Sequence, residues 1–115
     1  MKSSLGDTQR LKHMLDCCIE IELAIGNSNE QSFIDNHILR IAVVKWIEII
    51  GEASVNITEQ LKLKYNEVSW AEIKGLRNIV VHEYFGINYD LIWEVASEHI
   101  PILKEQIEII LKDIE

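Results

Sequence analysis

Apolar side chains recur at steps of three and four residues along most of the chain, which is the spacing of one face of an α-helix. The first segment with this repeat lies between Asp7, a residue type favoured at a helix N-cap, and Gly26, a residue type favoured at a helix end. Its repeating positions are Leu11, Met14, Leu15, Cys18, Glu22 and Ile25. The sequence therefore predicts a first amphipathic helix from Asp7 to Gly26.

A second helix is predicted after the polar residues 27–31, which are typical of a loop. Ser32 and Asp35 have the spacing of a helix start, and the apolar repeat continues to about Lys64. A helix of that length is unusual in a globular protein, and glycine weakens a helix interior. We therefore expect a bend near Gly51.

A third helix is predicted to start at Trp70, because Ser69 and Glu72 have the spacing of a capping box. Gly86 is its predicted end. A fourth helical stretch is predicted to begin near Asn88 and to continue towards the end of the chain.

The fourth stretch contains Pro101, the one proline of the chain. Proline lacks the backbone N–H that a helix interior needs, so we expect a kink or a split near His99. Four or five amphipathic helices with short connections indicate one all-α domain over residues 1–115, folded as an antiparallel bundle.

Composition excludes several classes of protein. A hydrophobic fraction of 48% is too high for a disordered chain, and 115 residues can build a core without a disulfide or a metal. The most apolar stretch, residues 41–50, contains Lys45 and Glu48 and is too short to span a membrane. The first residues lack the apolar segment of a signal peptide, and Cys17 and Cys18 are adjacent, which disfavours a structural disulfide. We expect a cytoplasmic protein with reduced thiols.

The formal net charge is −8, which at first argues against a polyanionic partner. The charge is uneven, however, because residues 60–77 contain four basic and two acidic residues and so carry +2. The remaining residues carry −10. Net charge alone therefore does not exclude a nucleic acid.

The third helix combines apolar residues on every side with the polar residues Arg77, Asn78 and His82. Such a helix is buried in a core or against another chain, and an unpaired buried arginine is costly. Arg77 must then face a cleft, an anion or a second subunit. The alternative is an interfacial arginine paired with Glu72 or Glu83, and a hydrogen-bonded core histidine.

These residue types suit the cleavage of a phosphodiester bond. The guanidinium of Arg77 can bind phosphate oxygens in bidentate fashion, and a histidine such as His82 exchanges a proton near neutral pH. Asn78 could orient the imidazole or hold a phosphate oxygen. RNA supplies its own nucleophile in the 2′-hydroxyl group, so the reaction requires no metal.

Residues 75–86, GLRNIVVHEYFG, together with Leu91-Ile92-Trp93, resemble the HepT-like family of the HEPN superfamily. That family carries an R-x4-H-x-Y motif, and its three fixed positions are Arg77, His82 and Tyr84 in this sequence. Residues 47–53, IEIIGEA, are similar to the family's second-helix signature. The resemblance covers nearly the whole chain.

The resemblance implies a toxin of a toxin–antitoxin pair that acts as a metal-independent ribonuclease. HEPN domains are helical bundles that dimerise, with arginine and histidine from both chains lining one cleft. By this resemblance Arg77 would stabilise charge on the scissile phosphate, His82 would act as general acid or base, and Asn78 would match the polar residue that often follows the arginine.

The resemblance also implies a partner. The cognate antitoxin of such toxins is a small nucleotidyltransferase of the MNT type, which transfers AMP to the tyrosine that corresponds to Tyr84. On an ideal helix Tyr84 lies beside Arg77, so the added phosphate would block the cleft. The alternative function is that of a non-catalytic helical binding partner of a nucleotidyltransferase.

Other polar residues favour structural interpretations. His13 and Cys17 are four residues apart but are too few for a metal site, so no metal and no cofactor are predicted. Glu48 and Glu52 are expected on a solvated helix face or as partners of Lys45 or Arg77.

Two further groups of residues are expected to be structural. Two histidines outside the motif lie on predicted helix faces and are expected to be partly buried. The three tryptophans are expected to pack in a core or an interface rather than to stack on bases. They are His37, His99, Trp46, Trp70 and Trp93.

Overall fold

A computed structural model describes the backbone of residues 2–81 and 86–115 and the side chains of residues 6–78 and 86–115. The elements in chain order are α1 (Lys2–Ile25), α2 (Glu30–Asp35), α3 (His37–Val55), α4 (Glu59–Lys64), α5 (Trp70–Val81), α6 (Tyr89–Glu94), a π-helical turn (Val95–His99) and α7 (Ile100–Ile114). The described backbone contains helices and no strand. The prediction of an all-α fold is confirmed.

The predicted end of α1 is confirmed, but the predicted start is wrong. Gly26 follows the helix with a φ of +41°, a left-handed conformation that glycine adopts without steric cost. The helix begins at Lys2, so Asp7 lies inside it rather than at its N-cap. The Asp7 carboxylate is buried and accepts hydrogen bonds from Thr58 N (2.9 Å) and Thr58 Oγ1 (2.5 Å). Asp7 thereby ties α1 to the residue that caps α4.

The predicted start of the second helix at Ser32 and Asp35 is also wrong, because two asparagines determine the boundaries. Asn29 caps the short α2, and its side chain accepts a hydrogen bond from Ser32 N while Ser32 Oγ accepts one from Asn29 N. Asn36 then caps α3 by accepting a hydrogen bond from Leu39 N. Ser32 is therefore the third helical residue of a capping box, not its first position.

The second helix also ends earlier than predicted. Helix α3 runs through Gly51 to Val55, and Thr58 caps the separate helix α4. The helix is uninterrupted at Gly51, where the sequence predicts a bend, and Gly51 marks a close contact between helices. A Cβ atom at position 51 would lie 2.9 Å from Arg77 Cβ and 3.1 Å from Arg77 N.

The later boundaries agree better with the sequence. Helix α5 starts at Trp70 as predicted, and Asn88 caps α6 by accepting a hydrogen bond from Leu91 N. The π-helical turn precedes Pro101, which confirms the predicted irregularity near His99, because the wider turn accommodates a residue without an N–H. Gly86 lies outside the helices. The last predicted turn of the third helix, residues 82–85, lies outside the described residues.

The core lies where α3 packs on α1 and α5 and where α7 packs on α1. Ion pairs join Glu22 to Lys104 (3.1 Å) and Lys12 to Glu115 (3.6 Å), so α1 and α7 run antiparallel. The largest fully buried side chains are Phe33, Leu11, Met14, Ile21, Ile47, Ile50, Ile92, Ile100, Ile107, Ile110, Val43 and Cys18. Within the described part of the chain, no helix has the length and apolarity needed to cross a membrane.

Candidate functional site

The backbone of Arg77 is positioned by the packing of α5 on α3. Arg77 lies in the second half of α5, and its Cβ and backbone N approach the α3 backbone at Gly51. Any larger residue at position 51 would push these atoms away. The absence of a side chain at Gly51 therefore lets the two helices meet at the residue that begins the R-x4-H motif.

The guanidinium of Arg77 is held by the next residue of α3. Arg77 Nε lies 3.1 Å from Glu52 Oε1, and the side chains are 35% and 58% exposed, respectively. The interpretation of Glu52 as a partner of Arg77 is confirmed. The alternative partner Glu72 does not pair with Arg77, and the other alternative, Glu83, lies outside the described residues. The arginine is thus neither unpaired nor fully buried, and a dissolved anion can reach it.

Glu48, one turn before Glu52 on α3, has a local partner. Its carboxylate lies 2.8 Å from Lys45 Nζ on the same helix. Glu48 and Glu52 both line an open groove of about 390 Å³ between α1 and α3, with Arg10 and Lys45. The predicted roles of the two glutamates as partners of Lys45 and Arg77 are both confirmed.

The remaining motif residues are described only in part. Asn78 follows Arg77 on α5, and its side chain is exposed. His82 and Tyr84 lie outside the described residues. The structure therefore brings together Arg77, Glu52 and Gly51, while the relation of Arg77 to His82 and Tyr84 remains a prediction.

A larger groove of about 730 Å³ lies on another side of α5, between that helix and α6, the π-helical turn and α7. Its lining is mainly apolar, and the ionisable side chains among its lining residues are Glu67, Glu72, Glu94 and His99. Three carboxylates would repel a phosphate. This groove therefore does not suit a phosphate, and Arg77 is not among the residues that line it.

The two cysteines are buried and free. Burial raises the pKa of the Cys17 thiol to about 11, with smaller contributions from Asp16 and Glu20, and burial raises the pKa of the Cys18 thiol to about 12. A neutral buried thiol is a poor nucleophile. The thiols therefore belong to the packing of α1.

The histidines outside the motif are exposed, so the prediction that they are partly buried is wrong for His37 and His99. His37 Nδ1 accepts a hydrogen bond from Arg40 Nη2 at 3.3 Å, and His99 Nε2 lies 3.6 Å from Glu94 Oε2. His13 is also exposed. Across residues 6–78 and 86–115, no group of three or more His, Cys, Asp or Glu side chains is arranged to hold a metal ion.

The three tryptophans are partly buried and pack against the core, as predicted. Trp93 contacts Phe33 with ring centroids 5.3 Å apart, and Trp70 Nε1 donates a hydrogen bond to Tyr65 O. These contacts account for Trp70 and Trp93 as structural residues.

Sequence reasoning missed one member of this site. The sequence predicts only a bend at Gly51, which adjoins Glu52 in the segment IEIIGEA. A glycine in the middle of a strongly apolar helix is a signal for a close helix contact as well as for a bend. The identity of the contacting residue required the tertiary structure.

Comparison with known proteins gives a consistent result. A family model described as "Ribonuclease HepT-like" matches residues 14–110. A candidate RNase of Caldanaerobacter subterraneus subsp. tengcongensis is 42% identical over 103 residues, covering 89% of this chain and 91% of the relative. A candidate RNase of Methanocaldococcus jannaschii is 46% identical over 78 residues, covering 68% of this chain and 72% of the relative.

A third relative, a candidate ribonuclease HepT of Thermococcus cleftensis, is 36% identical over 78 residues, covering 68% of this chain and 71% of the relative. No solved structure matches the chain. The family match covers most of the helical bundle and includes α5 with Arg77. The chain belongs to the ribonuclease HepT-like family.

Proposed function

We propose that this protein is a metal-independent RNA endonuclease and the toxin of a toxin–antitoxin pair. The observation that carries the proposal is Arg77, a guanidinium that is one-third exposed and fixed on α5 at the start of an R-x4-H motif. Membership of a ribonuclease HepT-like family, and relatives named as candidate RNases, support the choice of RNA as substrate.

In the proposed reaction the 2′-oxygen of a ribose attacks the adjacent phosphorus. One imidazole of His82 takes the proton from the 2′-hydroxyl group, and a second protonated imidazole gives a proton to the departing 5′-oxygen. The bond between phosphorus and the 5′-oxygen breaks. The products are a 2′,3′-cyclic phosphate and a 5′-hydroxyl group, and Arg77 stabilises the charge that develops on the phosphate oxygens.

The proposed site is composite, because one His82 cannot take and give a proton in the same step. A homodimer, alone or within a higher oligomer, would bring two copies of Arg77, Asn78 and His82 to one cleft. Dimerisation would also concentrate the basic residues of the 60–77 segment around the substrate, which offsets the net charge of −8.

The proposed regulator is a nucleotidyltransferase antitoxin of the MNT type. It would transfer AMP to the hydroxyl of Tyr84, with release of diphosphate from ATP. The new phosphodiester would carry a negative charge near Arg77 and would compete with the RNA phosphate.

The test is cleavage of RNA in the presence of a chelator by the parent protein and by His82→Ala. The intact mass of the parent is measured first, so that AMP on Tyr84 is not mistaken for inactivity. We expect cleavage by the parent with cyclic phosphate ends, and a loss of about 10²-fold or more in the variant. Failure of the unmodified parent to cut several RNAs would favour a non-catalytic partner of a nucleotidyltransferase.

A further inference from the structure

We infer that Glu52 is a positioning residue for Arg77. From α3, its carboxylate holds the guanidinium through Nε in the orientation in which Nη1 and Nη2 receive an RNA phosphate. This inference rests on the proposed ribonuclease function and adds to it a residue outside the R-x4-H-x-Y motif.

The first argument is that two adjacent residues of α3 hold opposite ends of one side chain. Gly51 allows the Arg77 backbone to lie against α3, and Glu52 Oε1 contacts Arg77 Nε at 3.1 Å. A free arginine loses much rotational freedom when it binds a ligand. An arginine that is already fixed at its backbone and at Nε loses less, so it is better preorganised for a transition state.

The second argument concerns which edge of the guanidinium is used. A guanidinium can bind oxygens at its Nε side and across its Nη1 and Nη2 atoms. Glu52 contacts Arg77 at Nε. A carboxylate on the Nε side and a phosphate across Nη1 and Nη2 can therefore be held by Arg77 together.

The opposite role for Glu52 is to repel the RNA phosphate through its negative charge. Glu52 is 58% exposed and carries a negative charge in a protein of net charge −8. If Glu52 only repelled the phosphate, its neutralisation would speed up cleavage. A positioning role predicts slower cleavage, so the sign of the effect separates the two roles.

Glu48 provides a matched control on the same helix. It lines the same groove as Glu52, but its partner is Lys45 and not Arg77. Glu48→Gln and Glu52→Gln each remove one negative charge from that groove. A difference between the two variants therefore reports the contact with Arg77 and not the change in charge.

The kinetic experiment measures kcat and KM of the full chain with one RNA for the parent, E52Q, E52A and E48Q. We expect kcat to fall about tenfold in E52A and less in E52Q, whose amide oxygen can occupy the place of Glu52 Oε1 beside Arg77 Nε. E48Q should keep the parent kcat. A kcat of E52A equal to or above that of the parent, or equal losses in E52A and E48Q, would overturn the inference.

A second readout does not depend on cleavage. The Nε–Hε signal of Arg77, assigned with Arg77→Lys, is followed by NMR in the RNA-free protein. We expect it to shift in E52Q and E52A and to keep its position in E48Q. An unchanged signal in E52A overturns the inference even if the parent cuts RNA. If the signal shifts in E52A but the parent cuts no RNA, the proposed function is refuted and the contact between Glu52 and Arg77 is retained.

Discussion

Two polar links between distant parts of the chain differ in their exposure to water. Asp7 on α1 accepts two hydrogen bonds from Thr58 and is 3% exposed. Arg77 on α5 pairs with Glu52 on α3, and their side chains are 35% and 58% exposed. The buried link has no access to a ligand, whereas the exposed link offers a positive charge to one.

The difference also concerns energy. A hydrogen bond to a buried charged group contributes about 1.5–3 kcal/mol to stability, and its loss leaves a partner without an acceptor. An exposed ion pair contributes about 0–1 kcal/mol. We therefore expect the Asp7–Thr58 link to serve the fold and the Arg77–Glu52 pair to serve the chemistry.

The largest expected effect is that of Arg77→Ala on cleavage. The variant keeps the Cβ atom that lies against Gly51 but loses the guanidinium, so RNA cleavage should fall about 10²–10³-fold. The free energy of unfolding should fall by about 1 kcal/mol or less. Single-turnover cleavage and urea unfolding on the same preparation measure both quantities.

Lys74→Ala is the control for Arg77→Ala. Lys74 is an exposed basic residue on α5, one turn before Arg77, so its removal changes the charge of the helix without touching the pair. We expect weaker RNA binding and an unchanged rate at saturating RNA. Equal rate losses in the two variants would mean that Arg77 contributes only charge.

Asp7→Ala should have the converse effect. Loss of the buried acceptor of Thr58 N and Oγ1 should lower the free energy of unfolding by about 2–3 kcal/mol. Cleavage per folded molecule should not change.

Asp35→Ala, which removes an exposed carboxylate that accepts hydrogen bonds from Gln31, should lower the free energy of unfolding by about 0.5 kcal/mol or less. Equal losses in the free energy of unfolding of Asp7→Ala and Asp35→Ala would contradict this expectation.

Gly51→Ala tests the close contact beneath the exposed pair. The added Cβ would lie 2.9 Å from Arg77 Cβ, so we expect a net loss of about 1–2 kcal/mol despite the better helix propensity of alanine. Gly75 on α5 is the matched control, because a Cβ there meets no atom within 4 Å. Gly75→Ala should stabilise the protein by up to about 1 kcal/mol. Urea midpoints distinguish the two, and stabilisation by both substitutions would refute the close contact.

Alkaline pH should lower the free energy of unfolding through the two buried thiols. Burial raises the pKa of the Cys18 thiol from its ordinary value of 9.0 to about 12, and that of the Cys17 thiol to about 11. Above pH 9 the unfolded chain releases these protons first, so stability should fall with rising pH between 9 and 12. The change in urea midpoint between about pH 8 and about pH 10 should be smaller in Cys18→Ala than in the parent. An identical change would mean that Cys18 does not contribute.

The sequence predicted helix ends and irregularities well where the interaction that determines them lies within one turn of helix. Gly26, Asn88 and Pro101 act on their own turn of helix, and each has the predicted effect. The asparagine caps of α2 and α3 were missed although Asn29 and Ser32 have capping-box spacing. Those boundaries could have been found from the sequence.

The errors at Asp7 and Gly51 have a different cause. Asp7 resembles an N-cap, but its partner is Thr58, 51 residues away. Gly51 resembles a bend, but its neighbour is Arg77 on another helix. The same limit applies to the site. Helical spacing predicted Arg77 on the helix that starts at Trp70, whereas its pairing with Glu52 was one of several alternatives that only the packing of α3 on α5 distinguishes.

The most direct test of the central claim is the chemistry of the RNA ends produced by Arg77→Ala and by the parent in the presence of a chelator. The account predicts 2′,3′-cyclic phosphate and 5′-hydroxyl ends from the parent, and at most about one-hundredth of that cleavage per folded molecule from the variant. Metal-dependent cleavage, 3′-hydroxyl ends, or equal cleavage by the variant would contradict it.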